Sequence, residues 1–232
     1  MKNPVFYRDL YYHCLRSKFS PARDSVEAQD AIPKVIHYCW FGKNPETELM
    51  RKCMESWAEF CPDYTLHLWN EDNFPFEKYP FARQAFEDRK WAYVSDVARL
   101  HALYYHGGIY MDTDVQVLKP LDRFLSEEVF SGYEAPGRIP TGIMAGRAGH
   151  EYLWLLLLWY VNRHYGKSYY GIPNVRIITK LTKLLYGANI ESQELILKGG
   201  VHFYPEEYFC PKDARTDNSY CVHHFAGSWT TP

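Results

Sequence analysis

Gly107-Gly108-Ile109-Tyr110-Met111-Asp112-Thr113-Asp114 is the stretch that decides how the rest of the chain reads. The paired glycines supply a chain reversal, Ile109 to Met111 make a short apolar strand, and two carboxylates follow where the strand runs out. Two aspartates one residue apart at a strand end can both face a single divalent cation. Carboxylate oxygens are the ligands that Mg²⁺ and Mn²⁺ prefer, and such ions complete their shells with substrate phosphates. The pattern points to metal-dependent chemistry on a phosphate-bearing substrate. An Asp-x-Asp alone serves equally well as a solvated turn or a helix cap, so the residues around it must decide.

Upstream, residues 91–106 place Ala92, Ser95, Val97, Ala98, Leu100, Leu103 and Tyr104 at three- and four-residue spacings, which predicts a helix with a wide buried face. Gly107 and Gly108 end it. Asp96 and Arg99 are three apart and so are neighbours on that helix. Exposed, such a pair is worth a few tenths of a kcal/mol. One helix upstream of an acidic strand end, it is also placed to hold sugar hydroxyls and a phosphate.

The rest of the chain alternates. Strands are expected at 34–39, 64–69, 109–111, 129–133, 201–204 and 221–225, with 115–118 extended. Helices are expected at 46–60 (Pro45 just ahead of it), within 81–106, at 149–165 and at 174–186. Residues 140–144 and 170–174 read as loops beside the ligand. Strands alternating with helices give an α/β fold, a Rossmann-like mixed sheet flanked by helices, with ligand at the carboxyl ends of the strands. Residues 1–30, with tyrosines, phenylalanines, Lys2, Arg8, Arg16, Lys18 and Arg23, form an aromatic and basic helical extension. It packs on the domain of residues 31–232 or lies on a membrane surface.

Composition narrows the function. A net charge of −2 over 232 residues gives no general case for nucleic-acid binding. The longest apolar run, 152–161, is about half of the roughly twenty residues that a bilayer span needs. The six cysteines form no C-x-x-C pair and read as reduced, buried thiols, so a cytoplasmic protein, peripheral at the membrane's inner face at most, is expected.

Four blocks carry a resemblance: Ile32-Pro33-Lys34-Val35-Ile36-His37-Tyr38-Cys39-Trp40-Phe41-Gly42, Ser95-Asp96-Val97-Ala98-Arg99, Gly107 to Val115, and His224-Phe225-Ala226-Gly227-Ser228-Trp229. In this order they resemble the sugar-nucleotide glycosyltransferases of the family-32 type, related to yeast-type α-mannosyltransferases and glucosylating toxin domains. The resemblance implies a GT-A type fold. It implies a retaining, Mn²⁺- or Mg²⁺-dependent transfer of a hexose from a nucleotide sugar, UDP-linked by preference, to a glycan or lipid-linked glycan. Bacterial capsule or O-antigen synthesis is the expected setting.

The same resemblance implies roles. Asp114 would be a direct metal ligand, and Asp112 would bind through water or touch ribose and sugar. His224, in His-x-x-Gly, would be the third ligand, with the adjacent His223 pointing the other way. Ser228 and Trp229 would close over the diphosphate, Trp40 would stack on the nucleobase, Asp96 would accept from sugar hydroxyls and Arg99 would hold the sugar or β-phosphate. The family's Thr-Gly-Pro-like acceptor segment is replaced here by Tyr170-Gly171-Ile172-Pro173. Two other readings compete: a haloacid-dehalogenase-type phosphohydrolase, which also begins with Asp-x-Asp after a strand, and a non-catalytic nucleotide- or glycan-binding module. The first needs a later acidic pair on a strand end, for which only Glu206-Glu207 offers; the second predicts loss of Asp96, Arg99, Asp112 or Asp114, and all four are present.

Overall fold

The structure, a computed structural model, describes residues 26–27, 29–161, 163–166, 173–191, 193–211 and 215–227. The expected basic helix of the N-terminal extension, Cys14, residues 170–172, Ser228 and Trp229 lie outside the described residues.

The elements alternate as expected. They run β1 (Val35–Cys39), α1 (Glu48–Phe60), β2 (Thr65–Trp69), α2 (Pro80–Glu87), α3 (Trp91–His106), β3 (Gly108–Met111), β4 (Val115–Val117), β5 (Val129–Gly132), β6 (Ile143–Gly146), α4 (Glu151–Leu158), α5 (Asn174–Tyr186), β7 (Leu195–Leu197), β8 (Val201–Tyr204), α6 (Glu206–Phe209) and β9 (Cys221–His223). Seven strands form one mixed sheet in the order β2-β1-β3-β6-β5-β8-β7, and β4 pairs with β9 in a separate antiparallel ribbon. β1 runs parallel to both β2 and β3, whereas β6 runs against β3 and β5. The carboxyl ends of β1 and β3 and the start of β6 therefore meet along one edge of the sheet.

The period-two alternation of these strands divides the core. Ile36, Ile109, Met111, Phe130, Ile143 and Ala145 face Trp57 of α1, and Tyr110, Val129, Met144, Val201 and Phe203 face α3 and α4. The helix α3 is covered on most sides, with residues 96–104 all buried, so it runs through the protein rather than over it. Gly108 is required where α3 meets β3: its φ is +106°, and a Cβ there would stand 2.7 Å from the Val35 carbonyl oxygen.

Three expectations change. α1 starts at Glu48 because the Thr47 hydroxyl caps it, accepting from the Met50 N–H at 3.1 Å, which leaves Pro45 in the approach. α4 stops at Leu158, not 165: Trp159 and Tyr160 donate to carbonyls three residues back, a tight final turn that aims the Tyr160 hydroxyl at Asn174. Ile143 and Met144, read as part of a loop, begin a central strand that runs to Gly146. At residue 29, the Gln29 side chain accepts from the Ala148 N–H at 2.9 Å and donates to the His106 carbonyl at 3.2 Å.

Candidate active site

The site is built on α3, the turn after β3, the residues before β6, and β9. Asp112 is fixed at the end of β3 by its own N–H, which donates to the Gly142 carbonyl at 2.7 Å. The Tyr110 hydroxyl donates to Asp112 Oδ1 at 2.7 Å. Arg99 reaches the same carboxylate from α3, with Nη1 3.3 Å from Oδ1, while its Nη2 lies 3.3 Å from Asp96 Oδ1. The guanidinium lies over the Tyr110 ring, 4.6 Å from its centroid, and Nη1 also donates to the Thr141 carbonyl at 2.7 Å. One arginine thus joins two carboxylates and the β6 approach. It is only 5% exposed, so removing it would strand buried negative charge, a loss of roughly 3–5 kcal/mol.

Burial and charge set the protonation of this group. Burial pushes the Asp96 carboxyl up to about 7, with the nearby Arg99 charge holding it from going higher. Burial works against the charge on Arg99, but Asp112, Tyr110 and Asp96 outweigh it and keep the guanidinium protonated. Asp96 is therefore the member of the set that carries a proton close to neutral pH.

Asp114 lies across the opening. Burial alone would raise its pKa, yet a hydrogen bond and the charge of His223 outweigh burial and hold it below the usual carboxylate range. Its Oδ1 is 3.3 Å from His223 Nε2, and its Oδ2 accepts from the Ala226 N–H at 2.9 Å. His223 is delivered by the β4–β9 ribbon, in which it sits opposite Val115. Trp57 holds that ribbon by donating to the Val115 carbonyl at 2.8 Å. Burial would lower the pKa of His223, but Asp114, with Asp112 behind it, outweighs burial and carries it up to about 10.

One ligand atom from each of Asp112, Asp114 and His223 lies within 4.8 Å of the other two. The close approach of His223 and Asp112 to the backbone depends on Gly142: a Cβ there would stand 2.7 Å from His223 Cε1 and 3.2 Å from Asp112 Oδ2. Two carboxylates and an imidazole gathered this closely fit a small, hard or borderline divalent ion such as Mn²⁺ or Mg²⁺.

His223 occupies the place expected of His224. The two side chains do point opposite ways, as an extended segment requires, but the inward one is His223. His224 is exposed, with Nε2 3.3 Å from Gln116 Oε1, and touches the site only through its backbone N–H, which donates to the Asp114 carbonyl at 3.0 Å. Trp40 follows β1 at the same sheet edge and is half-buried; its indole N–H donates to the Asn44 carbonyl at 2.7 Å. Sequence reasoning gave no role to Thr141, Gly142 or Asn174, although it placed the loops containing them beside the donor. Asn174 donates to Thr141 Oγ1 at 3.1 Å and accepts from the Tyr160 hydroxyl at 2.9 Å, which ties α5 to the site.

With this geometry, the likeness to known proteins falls into place. Residues 47–131 match the family model described as a glycosyltransferase sugar-binding region containing the DXD motif. The chain is 30% identical over 149 residues to inositol phosphoceramide mannosyltransferase 3 of Schizosaccharomyces pombe, covering 62% of this chain and 39% of that protein. It is 26% identical over 222 residues to mannosyltransferase 2 of the same name and organism, covering 89% and 60%. Human α-1,4-N-acetylglucosaminyltransferase is 31% identical over 98 residues, covering 42% and 27%. The chain thus spans less than two thirds of the length of these relatives. The solved PaToxG glycosyltransferase superimposes with a TM-score of 0.53 at 17% identity, covering 79% of each chain, which supports the fold alone. No helix among the described residues is long and apolar enough to cross a membrane. Asp112-Thr113-Asp114 accordingly lies within a stretch that matches the glycosyltransferase sugar-binding region containing the DXD motif, carried on a mixed α/β fold like that of a GT-A type glycosyltransferase.

Proposed function

We propose that the protein transfers a hexose from a nucleoside diphosphate sugar, UDP-linked by preference, to a hydroxyl of a glycan or lipid-linked glycan, with retention of the donor's configuration. The observation that carries this reading is the convergence of Asp112, Asp114 and His223 beside the buried Arg99–Asp96 pair. Asp112, Asp114 and His223 would hold Mn²⁺ or Mg²⁺, which supplies charge stabilisation to a departing diphosphate. Arg99 anchors the donor's sugar or β-phosphate; its planar fork is already oriented by Thr141 and Asp112. Asp96, close to half-protonated at neutral pH, accepts from or donates to sugar hydroxyls. Trp40, at the same edge, stacks on the base. Ser228 and Trp229 close the donor pocket in this reading.

The relatives' names add two sugars, mannose and N-acetylglucosamine, and one lipid acceptor. None is a bacterial capsule, so glycan or lipid-linked glycan is the acceptor class carried forward. The test is thermal unfolding with a panel of nucleotide sugars, with and without Mn²⁺, on wild type and Asp114→Ala. A ligand at a hundred times its dissociation constant adds about 2.7 kcal/mol, a shift of several degrees. A shift for one donor that needs both Mn²⁺ and Asp114 is the expected result; no shift for any donor with a folded protein would overturn the reading.

A further inference from the structure

The outer face of α5 carries a groove of about 500 Å³ whose far wall is Gly137 and Arg138. Arg138, Arg176, Lys180 and Lys183 line it, Val175 and Leu184 supply apolar surface, and no carboxylate takes part. Arg176, Lys180 and Lys183 are spaced four and three apart and so share one exposed helix face, opposite the buried Ile177, Ile178 and Leu181.

A row of lysines and arginines on an amphipathic helix is ordinarily a solvated face. Two observations set this one apart. Several cations elsewhere pair with a carboxylate: Lys34 with Asp63 and Asp122, Lys43 with Asp72, Lys52 with Glu48, Arg147 with Glu128. None of the four groove cations makes an ion pair with a described residue, and α5 itself contains no acidic residue in a chain of net charge −2. The groove is also joined to the site. The Thr179 hydroxyl accepts from the Ile139 N–H at 2.9 Å and Asn174 donates to Thr141 at 3.1 Å, so the strip that walls the groove at Arg138 reaches the DXD motif at Gly142. Four residues span at most about 14 Å, the reach of a disaccharide-sized molecule.

We propose that this groove binds a phosphate group of the acceptor, so that the acceptor is a phosphate-bearing sugar or glycan whose hydroxyl is presented to the Asp112–Asp114 site. Concavity and apolar lining favour a discrete phosphorylated molecule over a flat anionic bilayer. Arg138 and Arg176 offer planar forks for phosphate oxygens, and Lys180 and Lys183 add charge. The acceptor role rests on the glycosyltransferase reading given above; the phosphate site does not.

The test is calorimetric titration of glucose 6-phosphate and of glucose, at low salt with EDTA present, into wild type and the surface variant R176Q/K180Q/K183Q. The expected result is at least a tenfold preference of wild type for the phosphorylated sugar, lost in the variant and weakened at 200 mM salt. UDP with Mn²⁺ should raise the melting temperature of both proteins equally. No preference in wild type, or one undiminished in the variant, overturns the proposal. So does variant-sensitive sedimentation with phosphatidylserine vesicles in the absence of any sugar-phosphate preference, which would assign the face to a membrane surface. If the phosphate preference holds while no nucleotide sugar shifts either protein, the donor reading fails and with it the acceptor role, leaving a phosphate site.

Discussion

Two polar clusters share the helix α3, and they treat histidine in opposite ways. At the carboxyl edge, His223 meets Asp114 and Asp112 and its pKa is carried up to about 10. On β1, β2 and the C-terminal half of α3, the buried His37 and His101, half-buried His67 and exposed His106 gather around Trp69 with ring centroids 4.7–6.1 Å from that indole. There, burial pushes His37 down to about 4 and His101 down to about 3, and the neighbouring histidines push the same way. The hydrogen bonds state the difference. His37 Nε2 lies 2.8 Å from the Gly107 carbonyl, and Nδ1 accepts from the Trp69 indole N–H at 3.2 Å. That arrangement uses both ring nitrogens of a neutral imidazole and leaves no place for a second proton. A histidine among carboxylates is held ready to exchange its proton for a cation, whereas a histidine among aromatics and carbonyls is a packed core residue with satisfied nitrogens.

The contrast breaks most visibly at Asp114. Asp114→Asn should lower transfer activity by a factor of about a hundred to a thousand, since it removes a charge from the place where the leaving diphosphate is stabilised, a term worth roughly 3–4 kcal/mol. Retention of Mn²⁺-dependent donor binding in that variant would remove the metal assignment. Next in size, His223→Gln should weaken Mn²⁺ binding by about a hundredfold, and Gly142→Ala by tenfold or more, because the added methyl crowds His223 and Asp112. Equilibrium Mn²⁺ titration followed by electron paramagnetic resonance measures both; wild-type affinity in Gly142→Ala would show that the close approach at Gly142 is not needed for the metal.

The pH dependence of the two clusters should also run in opposite directions. His37 and His101 are depressed in the folded state, so the unfolded chain binds more protons and stability falls as pH drops from about 6.5 toward 4. A shift from 6.5 to about 4 is worth about 3 kcal/mol for His37. His223 is raised, so its contribution is complete below 6.5 and is lost as pH rises through about 10. Metal binding must displace that same proton, and Mn²⁺ affinity should climb about tenfold per pH unit across this range. Urea unfolding at pH 7 and pH 5 tests the first cluster, metal titration at pH 7 and pH 8 the second; a pH-independent affinity would mean that His223 keeps its proton and is no ligand. The smallest effect is expected at His224→Ala: within about 0.5 kcal/mol in stability and no measurable change in Mn²⁺ affinity.

Local spacing made the charged half of the site legible. Asp96 and Arg99 are one helical turn apart, and Asp112 and Asp114 flank a single residue at a strand end, so short-range geometry alone brings each pair together. What stayed hidden depends on pairing between distant segments. His223 and His224 differ by one position, and only the register of β9 against β4, with His223 opposite Val115, decides which side chain enters. Residues 143–146 are buried on both faces, so β6 shows no alternation to distinguish it from an apolar loop.

The amino-acid sequence by itself determined an α/β chain with a carboxylate pair at a strand end and an arginine one helix upstream, because those features follow from periods of 2 and 3.6 and from the chemistry of single residues. Only the tertiary structure decided that β6 runs against β3 to set Gly142 beside Asp112, that the β4–β9 ribbon brings in His223, and that four cations, none paired with a described residue, line one groove on α5. The reason is physical: register, strand direction and charge pairing are settled by contacts between residues far apart in the chain, and no local window contains both partners.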